Sequence, residues 1–124
     1  MTTATVRVLI VDDQEPFRSA ARLVVSLTDG FEVTGEAATG ESAVTIAKEL
    51  SPDLILMDIN LPGIDGLEAT RQIVQAQPSA KVIVMSTYEP DEYEQRAIEA
   101  GAGAFMSKSD LDPDTLLAGW HRLS

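Results

Sequence analysis

Along the chain, apolar stretches of strand length alternate with longer segments whose apolar residues recur at three-and-four spacing. The first stretch runs from Val6 to Val11. Phe17, Ala20, Ala21, Val24 and Leu27 then predict one buried stripe of a first helix, with Pro16 near its start and Gly30 past its end. Phe31 to Ala37 alternates apolar with polar residues, as a half-exposed strand at a sheet edge does, and Ala43, Val44, Ala47 and Leu50 predict a short second helix. Leu54-Ile55-Leu56-Met57 and Val82-Ile83-Val84-Met85 are unbroken apolar runs, the pattern of central strands buried on both faces. Between them Leu67, Thr70, Ile73, Val74 and Gln77 predict a third helix that Pro78 closes. A fourth helix is expected after Pro90, with Tyr93, Ala97 and Ala100 inward. Ala104-Phe105-Met106 is a short fifth strand, and Leu116, Leu117, Trp120 and Leu123 line a last helix that ends as the chain does, at Ser124.

Strand and helix thus alternate five times, which predicts a parallel sheet covered on both faces: an α/β, flavodoxin-like (βα)5 doubly wound fold with strand order 2-1-3-4-5. With 124 residues and 44% hydrophobic composition, the expectation is one domain over 1–124. The net charge of −11 opposes binding to a phosphate backbone or an anionic lipid surface, so no direct contact of this domain with nucleic acid or membrane is expected. Without cysteine there is no disulfide, thiolate nucleophile or sulfur-ligated metal, and one histidine, His121, builds no zinc site. No basic-then-apolar leader opens the chain and no apolar run nears the roughly 18 residues of a membrane span, which leads to a cytoplasmic expectation.

In such sheets ligands bind in the crevice at the carboxyl ends of the strands. The residues there are Asp12-Asp13, Asp58, Ser86 and Lys108. Two like charges about 4 Å apart repel by roughly 4 kcal/mol at an effective dielectric near 20, so clustered carboxylates call for a cation or for protonation. Mg²⁺, which takes oxygen ligands and is commonly held by one or two carboxylates with a phosphate, suits Asp12, Asp13 and Asp58. A carboxylate can also act as nucleophile and form an acyl phosphate. Asp58 is the better candidate because it stands alone after a central strand, whereas Asp12 and Asp13 make a metal pair. Mg²⁺, the Ser86 hydroxyl and the Lys108 ammonium can each serve one phosphoryl oxygen.

Four segments, Val8-Leu9-Ile10-Val11-Asp12-Asp13, Leu56 to Gly66, Val84-Met85-Ser86-Thr87-Tyr88 and Gly103 to Lys108, resemble in order and spacing the motif blocks of response-regulator receivers of two-component systems. Ser86-Thr87-Tyr88 and Lys108-Ser109 are most similar to the NarL/FixJ (LuxR-type) subtype. The resemblance implies a phosphoacceptor at Asp58, a metal pair at Asp12 and Asp13, and a further metal ligand in the Asn60 backbone carbonyl. It implies a switch hydroxyl at Ser86, a switch aromatic at Phe105 and a phosphate-contacting lysine at Lys108. It also implies a sensor histidine kinase as donor, a possible homodimer, and a transcriptional output through a C-terminal helix-turn-helix outside this chain. Catalysis extends only to the domain's own phosphorylation and dephosphorylation. Ser109 stands where many receivers carry proline after the lysine, so no cis bond is expected there.

Plainer readings stand beside these. Asp12-Asp13 alone could be a solvated turn, Asp58 an exposed carboxylate, Phe105 simple core, and Gly63 and Gly66 servants of loop geometry. No dinucleotide or P-loop glycine pattern follows the first strand. The adjacency of Asp12 and Asp13 departs from the spaced aspartates of haloacid-dehalogenase-like phosphatases. A pseudo-receiver, binding partners without phosphate, is the alternative function. Tyr88 is expected to shield the site from hydrolytic water.

Overall fold

The computed structural model describes residues 5–87 and 91–123. Five parallel strands, β1 (Val6–Val11), β2 (Phe31–Ala37), β3 (Leu54–Asp58), β4 (Lys81–Ser86) and β5 (Ala104–Ser107), alternate with α1 (Glu15–Ser26), α2 (Gly40–Leu50), α3 (Gly66–Ala76), α4 (Asp91–Ala100) and α5 (Pro113–Leu123). The strand order is β2-β1-β3-β4-β5, the flavodoxin-like arrangement expected from the alternation. The pattern of apolar runs is explained by where successive side chains go. Val8, Ile10, Leu54, Leu56, Ile83 and Met85 enter one core, with Ala21 and Val25 of α1 and Leu116 of α5. Leu9, Val11, Ile55, Met57, Val82 and Val84 enter the other, with Ala43 of α2, Ile73 of α3 and Ala97 of α4. Neighbours on a strand point to opposite faces, so a strand covered twice must be apolar at every position. Each such side chain stabilises by roughly 1.5–3 kcal/mol when fully buried.

The edge strand β2 is irregular. Val8 pairs with Val33 but Leu9 with Gly35, which leaves Thr34 as an extra residue. The shift brings Gly35 beneath α2, where a Cβ would lie 2.8 Å from Leu50 Cδ1. At the other end of the strand, Phe31 meets Trp120 of α5 edge to face, ring centroids 6.3 Å apart.

Side chains decide the helix ends. Thr39 and Ser42 form a reciprocal capping box at α2, and the Asp65 carboxylate accepts the Glu68 N–H at 2.9 Å to start α3. The buried stripe of α1 differs from the expected one. Ala20 is exposed and Leu27 is 64% exposed, because the helix ends at Ser26 and because one residue along a helix turns the side chain by about 100°. Ala21 and Val25 take the centre of the face, flanked by Phe17 and Val24. On α4, Ala97 and Ala100 are buried and Tyr93 half-buried, as expected; Tyr88 and Pro90 lie outside the described residues. The Lys108–Ser109 peptide is trans. Among the described residues no helix is long and apolar enough to cross a membrane.

Candidate functional site

The crevice at the carboxyl ends of the strands holds a compact charged group. Asp12 follows β1, Asp58 closes β3, and Lys108 follows β5 as the first residue of a short 3-10 turn, Lys108–Asp110. Carboxylate oxygens of Asp12, Asp13 and Asp58 lie within 4.8 Å of one another. Asp12 is fully buried, Asp58 nearly so, and Asp13 opens to solvent. Lys108 Nζ bridges the two buried acids, 2.5 Å from Asp12 Oδ2 and 3.3 Å from Asp58 Oδ1. Asp12 Oδ1 accepts the Gln14 N–H at 2.8 Å. Asp12 Oδ2 accepts no well-aligned hydrogen bond among the described residues, so the ammonium meets it by charge rather than by a directed bond.

Burial pushes the Asp58 carboxyl up to about 6, with the neighbouring Asp12 charge adding to the rise and Lys108 opposing it. A buried carboxylate oxygen short of donors, beside two more carboxylates, is an all-oxygen set that fits a hard divalent cation. The residues that could hold such a cation are Asp12, Asp13 and Asp58.

The other expected residues are placed less tightly. The Asn60 side chain is exposed, and its backbone N–H donates to Asp58 Oδ1 at 3.3 Å. Ser86 is buried at the end of β4, one residue beyond Met85, the pairing partner of Asp58. Phe105 is half-buried and packs on the core under α2, α3 and α4. Strand alternation explains the division: Asp12 continues the row of Val8 and Ile10, Asp58 that of Leu54 and Leu56, while Ser86 continues that of Val82 and Val84.

Two glycines shape the loop after Asp58. Gly66 donates its N–H to the Ile59 carbonyl at 3.0 Å, and a Cβ there would overlap the Asp58 carbonyl oxygen. Gly63 has φ +76°, a left-handed value that glycine accepts without strain. The Glu41 carboxylate of α2 holds the same loop by accepting the Ile64 N–H at 3.1 Å.

Three supporting contacts have little or no signal in the sequence. Arg18 Nη1 donates to the Asp12 carbonyl at 2.6 Å and its guanidinium pairs with Glu15 at 2.8 Å and Glu36 at 3.2 Å. Glu41 pins the loop. The Phe17 ring lies under the ammonium, with Lys108 Nζ 4.7 Å from its centroid. Basic residues one turn beyond an acidic pair are a weak sequence signal for Arg18; nothing in spacing signals the other two.

Two buried carboxylates bridged by one lysine, with the exposed Asp13 carboxylate beside them, thus lie at the carboxyl end of a doubly wound parallel sheet. Residues 8–119 match the response regulator receiver domain family, and the chain belongs to that family. It is 41% identical over 103 residues to the response regulator GacA of Pseudomonas aeruginosa, covering 83% of this chain and 48% of that protein. It is 35% identical over 112 residues to the transcriptional regulatory protein DegU of Brevibacillus brevis, covering 90% and 47%. Among solved structures, a LuxR-family two-component response regulator from Aurantimonas sp. SI85-9A1 superposes with a TM-score of 0.85 at 33% identity, covering 93% of this chain and 81% of that one. The chain spans about half the length of these two curated relatives.

Proposed function

We propose that the chain is a receiver domain over residues 1–124 that takes a phosphoryl group onto Asp58 from the phosphohistidine of a sensor kinase, with Asp12, Asp13, Asp58 and the Asn60 carbonyl holding Mg²⁺. The observation that carries this reading is the Lys108 ammonium set between Asp12 and Asp58, with Asp13 inside the same 4.8 Å cluster. Bound there, Mg²⁺ supplies charge neutralisation for the carboxylates and the phosphoryl oxygens. In the transfer an Asp58 carboxylate oxygen bonds to phosphorus, the phosphorus–nitrogen bond to the donor imidazole breaks, and that nitrogen keeps the electron pair and takes up a proton. Lys108 and the Ser86 hydroxyl then each serve a phosphoryl oxygen. In this reading the domain is a signalling element that acts catalytically on itself alone.

Phosphorylation adds about −1.5 to −2 charges beside buried carboxylates, which gives Ser86 a reason to move toward the new oxygens. That movement frees the space into which Phe105 turns, and it alters the surface made by α4, β5 and α5. The output read from that surface is transcription, through a DNA-binding part outside these residues and through dimerisation on the altered face. Support comes from the regulator relatives, which are about twice as long.

The test is incubation with Mg²⁺ and acetyl phosphate, followed by intact mass. The expected result is one added phosphoryl group on the parent and none on Asp58→Asn. An unlabelled parent, with either acetyl phosphate or a phosphorylated kinase as donor, overturns the reading in favour of a phosphate-independent interaction module.

A further inference from the structure

We propose that Phe17 is a positioning residue for Lys108, its ring face holding the ammonium in the acidic pocket once the two carboxylates are engaged elsewhere. The inference rests on the reading that Lys108 serves a phosphoryl oxygen.

Among the described residues, three groups contact the ammonium: Asp12 Oδ2 at 2.5 Å, Asp58 Oδ1 at 3.3 Å and the Phe17 ring with its centroid at 4.7 Å. The ring lies inside the ~6 Å reach of a cation–π contact, and the Lys108 side chain is only 14% exposed, which places the contact where desolvation strengthens it. Both carboxylates belong to the set that suits a divalent cation, and a cation held there competes with the ammonium for the same oxygens. A hydrocarbon ring face offers nothing to an oxygen-seeking ion. Phe17 is therefore the partner that the ammonium keeps when its two ion pairs weaken.

The ring is held firmly enough to do this. Phe17 packs on the same core as Val8, Ile10 and Ala21, and its N–H donates to the Gln14 carbonyl at 3.1 Å. A short, hydrogen-bonded turn thus joins it to Asp12, whose Oδ1 accepts the Gln14 N–H. Ring and acid are set by one turn after β1, whereas the ammonium arrives from the far side of the sheet at the end of β5. The core alone does not ask for an aromatic group at a half-buried position of α1. A leucine or methionine would cover the same apolar neighbours and leave the ammonium without a face.

The experiment compares the parent with Phe17→Leu and Phe17→Tyr. In metal-free protein the Lys108 ε-methylene protons are expected upfield in the NMR spectrum through the ring current, with the shift retained in Phe17→Tyr and lost in Phe17→Leu. With Mg²⁺ and acetyl phosphate, Phe17→Leu is expected to label about fivefold more slowly than the parent, and Phe17→Tyr within about twofold of it. In a Lys108→Ala background Phe17→Leu should slow labelling no further, because the ring acts through the ammonium. Thermal unfolding of each variant separates positioning from loss of fold, and Phe17→Met replaces Phe17→Leu if the latter does not fold. The inference is overturned by an unshifted Lys108 methylene in the parent. It is equally overturned by a folded Phe17→Leu that labels at the parental rate, or by a slowing that persists without Lys108. A parent that shows the ring-current shift but takes no phosphoryl group supports the contact and removes the functional reading instead.

Discussion

The layer of α1 and α5 and the layer of α2, α3 and α4 rest on the same strands, yet they receive different chemistry. Asp12 and Asp58 continue the rows of side chains that enter the α1–α5 core, and Phe17 and Arg18 of α1 meet Lys108 and the Asp12 carbonyl there. The opposite layer receives Ser86 and Phe105, one a hydroxyl and the other a hydrocarbon ring, with no charge. A single step along β4, from Met85 opposite Asp58 to Ser86, crosses from one layer to the other. Because strand neighbours face opposite ways, a strand end can place a charge in one layer and its uncharged neighbour in the other.

The sharpest way to break this division is at Lys108. Lys108→Ala should slow labelling by acetyl phosphate by about 10²–10³-fold, the usual cost of losing one charge-stabilising donor, while Phe105→Leu labels at the parental rate. Mass spectrometry over time reads both. The next effect concerns stability in metal-free buffer. Unfolded, the Asp58 carboxyl releases its proton near 3.8; folded, near 6. Between those values the native chain holds the extra proton, so stability falls as pH rises from about 4 to 6, and the ionised group costs the fold above that window. Asp58→Asn should therefore stabilise by up to about 3 kcal/mol at pH 7 and by little at pH 4, measured by urea unfolding. A gain that does not depend on pH would remove the buried-charge account.

A smaller effect comes from the cation. Mg²⁺ at ten times its dissociation constant should stabilise the parent by about 1.4 kcal/mol and Asp12→Ala by none, read as thermal midpoints. Phe105→Leu should cost about 1 kcal/mol through imperfect repacking alone. Ser86→Ala then sharpens the contrast: it is expected to accept the phosphoryl group while the α4 amide signals no longer respond. If those signals moved as in the parent, the α2–α4 layer would not be the one that reads the site.

The sheet and the charged cluster were legible because burial on both faces forces unbroken apolar runs, and the first polar residue after each run marks a strand end. Asp12, Asp58 and Lys108 come from three such ends and meet as expected. Edges were harder to read. The apolar pattern of α1 runs wider than its buried face on one side and past the helix end on the other, since Ala20 and Leu27 are apolar but face solvent. Phe17 was visible only as core, because its contact with Lys108 joins residues from opposite ends of the chain and no periodicity records it. Glu41 was invisible for the same reason: its partner is a backbone N–H in another loop.

Gly66 gives the molecule a point of direct mechanical leverage. With no side chain there, the first turn of α3 rests against the main chain of Asp58 itself, and a single methyl group would wedge the two apart. The helix and β3 consequently share a bearing surface rather than a flexible joint. A shift of the Asp58 backbone has no slack to cross before α3 registers it.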